Sequence, residues 1–135
     1  MTRELYDLTA LELSHAYRTK ELSPVEVTRA VLARAEASQP TLNAFITICA
    51  DQALDAAKAA VAAIMQGRTL GPLHGVPFTV KDLVNTKDVR TTFGSFVFEH
   101  NIPKVDHLAL LFWQRGNQFI DSLHTFTKFS CFMRR

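Results

Sequence analysis

The chain has 135 residues, 47% of them hydrophobic and 21% charged, which suffices for one domain with a core and not for two. Fifteen Lys and Arg against thirteen Asp and Glu leave a formal charge of +2, too little to argue for nucleic acid or an anionic membrane as a partner. Two cysteines, Cys49 and Cys131, exclude a disulfide framework and carry no metal-type spacing; free thiols fit a reducing compartment, so a cytoplasmic location is expected.

The opening MTRELYDLTA scatters its charges and lacks the apolar run of a signal peptide. TALE at 9–12 has the form of a capping box, with Thr9 as cap and Glu12 reaching back, and predicts a helix to about Lys20. SPVE at 23–26 repeats the signal with Pro24 at the first helical position, where its missing N–H costs nothing. Val27, Ala30, Val31 and Ala35 then make one narrow apolar face, and Gln39-Pro40 is expected to end this second helix. NAFITI at 43–48 reads as a short strand. An alanine-rich helix should follow from about Asp51 to Gln66, with Gly67 in the left-handed position after it. The most apolar window, 45–65, carries Asp51, Asp55 and Lys58, so no membrane span is read.

After the loop RTLGPLHG, residues Val76 to Val80 predict a second strand, with Pro77 marking its start or a sheet edge. Beyond Lys81 the chain turns polar through NTKDVRTTFGS, and Asp106 is expected to cap a last helix ending near Gly116. Residues 117–135 show no clean period of either kind, and Trp113 and the tail phenylalanines read as stranded core residues. The pattern αα-β-α-β-(α) is α/β in kind and short of strands for a complete sheet.

Taken by itself, the Lys81-Asp82 pair after a strand reads most often as a solvated turn. The wider context changes this. LSPVEVTRAVLARAEASQPTLNAF, then an alanine-rich helix, then GPLHGVPFTVKDLVNTKDVRTTFGS closely resembles the N-terminal part of the amidase signature family, in order and continuously over residues 5–106. That family includes bacterial amidases and the A subunit of the glutamyl-tRNA amidotransferase. The resemblance implies the N-terminal portion of an α/β/α fold with a mixed sheet, incomplete here. It divides the chain into 1–106, family-like, and 107–135, a divergent tail expected to be truncated or frame-disturbed. It implies hydrolysis of carbon–nitrogen amide bonds through a Ser–cis-Ser–Lys triad, without metal or cofactor and on a small amide substrate. Lys81 matches the lysine that serves as base, and a buried lysine loses its proton more readily than a hydrated one.

The family's Gly-Gly-Ser-Ser-Gly-Gly type segment, which carries the serines, has no counterpart, because the glycines stand singly at 67, 71, 75, 94 and 116. The chain alone is therefore expected to be inactive. Ser95, in TTFGS, reads as a turn residue rather than a replacement nucleophile. Asp82 either orients Lys81 or caps the following turn. The histidines 15, 74, 100, 107 and 124 lack ligand spacing and read as surface or loop residues, although His74 adjoins the second strand and is a minor candidate for facing a pocket. Two other functions remain open: a non-catalytic module binding a partner through an unfinished sheet edge, and a component of tRNA-dependent transamidation.

Overall fold

In the computed structural model, which describes residues 3–68, 70–108 and 110 and the strand at 126–129, the first helix starts where the capping box puts it. Helix α1 spans Ala10–Thr19. Glu12 N donates to Thr9 Oγ1 at 3.3 Å, and Thr9 N donates to Glu12 Oε2 at 2.7 Å. Glu12 also takes a forked pair from Arg3, at 2.6 and 3.0 Å. The Arg3 bonds first, then those from Thr9, hold its carboxyl down at about 2.

Helix α2 spans Pro24–Leu42, with Ser23 as cap and Pro24 at its first position. It does not stop at Gln39-Pro40. Pro40 sits inside the last turn, and the helix ends on Asn43 in the left-handed conformation at φ 45°. The lost N–H is offset locally. Asn43 N donates to the Gln39 carbonyl at 2.8 Å, and the Gln39 amide holds both Phe45 N and Phe45 O, at 3.0 and 2.6 Å. The buried face is also wider than the expected stripe: Thr28 and Leu32 join Val27 and Ala35, while Ala30 and Val31 are half-buried.

Strand β1 is Phe45–Ile48 and helix α3 is Ala50–Met65. The buried face of α3 is all alanine (53, 56, 57, 60 and 63), which brings its backbone close to α2. Gly67 takes the left-handed position at φ 66°, with Gly67 N on the Ile64 carbonyl and Arg68 N on the Ala63 carbonyl. Strand β2 is Phe78–Lys81, two residues later than its apolar run suggested at the N-terminal end, because Pro77 cannot donate to a ladder.

The tail supplies an element that its pattern did not announce. Strand β3, Phe126–Phe129, lies in the middle of a three-stranded sheet of order β1-β3-β2. It runs antiparallel to β1 and parallel to β2, so the sheet is mixed. A bulge on β1 leaves Ile46 out of register, and its carbonyl is taken by Arg90 Nη2 at 2.7 Å. The predicted helix end near Gly116, Trp113 and the rest of the tail lie outside the described residues.

One core unites Leu13 and Tyr17 of α1 with Val27 of α2, backed by Ile64 and by Val76 just ahead of β2. A second joins Val80 of β2 to Leu110, with Cys49, Phe78 and Val84 against it. The lead into β2 is tied down by Ser14 Oγ, which donates to the Pro72 carbonyl at 2.7 Å. No helix among the described residues is long and apolar enough to cross a membrane.

Candidate active site

Strand alternation decides how β2 ends. Val80 is buried and Lys81, the next residue, is exposed, so the amine leaves the strand on the face opposite the core. The backbone carrying it is held on both sides. Lys81 pairs in register with Phe129 of β3, and its carbonyl accepts from Val84 N at 2.9 Å to close the turn that follows. A rigid backbone and an exposed amine differ from the buried amine expected of a general base. Among the described residues nothing withdraws Lys81 from water.

Asp82 points the other way. It is 2% exposed, and its carboxylate accepts from Thr92 N at 2.9 Å, from Thr92 Oγ1, and from Gly94 N at 3.2 Å. It therefore pins a loop ten residues downstream, which is neither the orienting contact nor the local cap that the sequence suggested. Further ties stiffen the excursion between 82 and 107. Thr91 and Asn101 exchange bonds at 2.9 Å, Asp88 N donates to the Pro103 carbonyl at 2.9 Å, and His107 N donates to the Asn85 carbonyl at 2.9 Å. Asp106, expected to cap a helix, instead accepts from Lys87 N at 2.7 Å. No sequence signal marks the Asp82–Thr92 clamp, because its two halves are joined only by the path of the loop.

Ser95 Oγ accepts from Val97 N at 3.3 Å and caps the single 3-10 turn Phe96–Phe98, as a turn residue does. No hydrogen bond joins it to Lys81 among the described residues. His15, His100 and His107 are exposed, and His124 lies outside the described residues. His74 differs from the surface or loop reading. It is 7% exposed, and its Nε2 lies 3.2 Å from the Ala60 carbonyl of α3. A carbonyl only accepts, so Nε2 carries the proton and the buried Nδ1 has no partner among the described residues.

Burial lowers the His74 pKa from its ordinary 6.5; the Ala60 bond opposes it less strongly, and Arg68 adds a smaller lowering. Above about pH 6.5 both folded and unfolded chains hold a neutral imidazole. Below it the unfolded chain takes up a proton that the folded one resists, so stability falls as the pH drops. Urea midpoints are expected to be level above about pH 6.5 and to decline below it. His74→Gln, which keeps a donor for Ala60, should flatten that decline; an unchanged slope would contradict the buried neutral state.

Known proteins resemble the chain in sequence and in fold. A family model described as Amidase matches residues 26–110. The A subunit of the glutamyl-tRNA(Gln) amidotransferase of Geobacter metallireducens is 46% identical over 107 residues, 79% of this chain and 22% of that protein. Among solved structures, a fatty acid amide hydrolase superposes with a TM-score of 0.77 at 28% identity, over 96% of this chain and 22% of its own. A bacterial aryl acylamidase of the amidase signature family gives 0.75 at 28% identity, over 90% and 24%. The chain thus spans about a fifth of the length of the curated relatives it matches. With the family model covering most of the described chain, and with the α/β framework shared by these enzymes, the chain belongs to the amidase family.

Proposed function

We propose that this chain carries the proton-accepting lysine of an enzyme that acts on carbon–nitrogen amide bonds. Lys81 is the base of a Ser–cis-Ser–Lys triad whose Gly-Ser segment the 135 residues do not contain. In that role the neutral amine takes a proton from the bridging serine. The bridging serine takes one in turn from the serine that attacks the carbonyl carbon, and the proton is later returned to the leaving amine. The substrate is a small amide, and no metal or cofactor enters. The observation carrying this reading is that the lysine of GPLHGVPFTVKD closes β2, with its backbone fixed by the ladder on one side and by the Asp82 clamp on the other. Its exposure means that burial must come from chain beyond the described residues.

A second, narrower reading is a role like that of the amidotransferase A subunit, favoured by 46% identity to the Geobacter metallireducens protein against 28% to the two solved amidases. A cytoplasmic setting goes with both readings.

The test is a chimera in which residues 5–106 replace the matching segment of the Geobacter metallireducens protein. The 135-residue chain alone is expected to hydrolyse neither aryl nor aliphatic amides, and the chimera to be active. Lys81→Ala and Lys81→Arg should both reduce turnover to background, since arginine keeps the charge but cannot give up its proton. Activity surviving in Lys81→Arg would remove the lysine from the mechanism.

A further inference from the structure

Tyr17, Thr28 and His74 are 2%, 1% and 7% exposed, and each carries a polar atom that meets no hydrogen-bond partner among the described residues. The atoms are Tyr17 Oη, Thr28 Oγ1 and His74 Nδ1. A polar group left dry and unpaired is a folding cost that native interiors seldom bear. The three residues come from separate parts of the chain, and the packing brings those parts to one junction. His74 Nε2 reaches the Ala60 carbonyl of α3, and α3 packs along α2, which carries Thr28. The residue after His74 presses on both other helices: a methyl built on Gly75 would stand 2.8 Å from Pro24 Cγ and 3.4 Å from Tyr17 Cδ2. Thr28 lies one helical turn beyond Pro24, on the same buried face. Tyr17 and Val27, the residue before Thr28, share a core with Ile64 of α3.

The three groups are also complementary in chemistry. With the proton on Nε2, Nδ1 can only accept, whereas each hydroxyl both donates and accepts. Burial pushes the Tyr17 phenol above its ordinary 10, so it keeps its proton. A helical threonine often turns its hydroxyl onto the carbonyl four residues back, and Thr28 does not. No direct bond joins any two of the three atoms.

We propose that one buried water bridges Tyr17 Oη, Thr28 Oγ1 and His74 Nδ1, donating to the imidazole nitrogen and to one hydroxyl and accepting from the other. Three bonds to otherwise unsatisfied groups is the usual complement of such a water. It joins α1, α2 and the 70–76 lead into β2 at one point, beside the direct tie of Ser14 Oγ to the Pro72 carbonyl. The site does not depend on the role assigned to Lys81.

A crystal structure of the 135-residue chain that shows ordered water should place one within about 3.2 Å of all three atoms. Tyr17→Phe and Thr28→Val, which take away a hydroxyl and keep the shape, give the test in solution. Each should lower the folded-to-unfolded ratio about five- to tenfold in urea titrations, because the water loses a partner. The double variant should lose at least about threefold less than the product of the two, since both act on the same water. Dry, unpaired hydroxyls would behave in the opposite way, and each substitution would then raise the ratio. A raised ratio, losses that simply multiply, or a direct bond among the three atoms in the crystal would each overturn the inference. Should a variant fail to fold, the crystal of the parent chain decides alone.

Discussion

Asp82→Ala is expected to destabilise the chain by about 3–5 kcal/mol, read as a shift in the urea unfolding midpoint. The carboxylate is buried and, among the described residues, accepts from Gly94 N and twice from Thr92, itself 5% exposed. Removing it strands both Thr92 donors away from water, each at about 1–3 kcal/mol. Gly94 is exposed, so its N–H can turn to solvent at smaller loss. Asp82→Asn should cost less, because the amide oxygen still accepts while its NH₂ faces a donor. Leu83→Ala, at an exposed neighbouring position, should stay within about 0.5 kcal/mol and serves as the control. If Asp82→Ala and Leu83→Ala cost the same, the carboxylate is not what holds the loop to the strand. The effect matters beyond stability, because the loop anchored by Asp82 helps to fix the Lys81 backbone.

What could be read from the sequence divides along the range of the forces involved. The capping box of Thr9 and Glu12 and the left-handed Gly67 are local, and they sit where the residues put them. Pro40 obeys a local rule that was overridden: one lost helix bond near a terminus is a small cost, and the side chain of Gln39 clasping Phe45 supports the extra turn. Strand β3 was invisible because its partners are about eighty residues away on β1 and almost fifty away on β2, and FTKF carries no alternation of its own. His74 looked like a loop residue because GPLHG is a loop. Only the close approach of the alanine face of α3 makes the ring part of the core. Lys81 stood out by family resemblance, and its position closing a strand follows from Val76–Val80. Its exposure depends on what surrounds it in space, which no local pattern encodes.

Gly75→Ala should cost about 2–4 kcal/mol, and Gly67→Ala only about 1. Both glycines are left-handed, at φ +78° and +66°, so each alanine meets the same backbone penalty of about 1 kcal/mol or slightly more. They differ in what the new methyl touches. At Gly67 nothing lies within 4 Å. At Gly75 the Cβ would fall 2.8 Å from Pro24 Cγ, 3.2 Å from Pro24 Cβ and 3.4 Å from Tyr17 Cδ2. Neither neighbour can yield easily. Pro24 is a buried rigid ring locked into the first turn of α2, and Tyr17 is 2% exposed in the main core. Relief must therefore come from displacing the 70–76 segment that leads into β2, at about 1–3 kcal/mol of packing. Comparing urea midpoints of the two variants isolates that packing contribution. Equal losses would mean that Gly75 does not press on Pro24, and that the lead into the strand ending at Lys81 is not fixed by this contact.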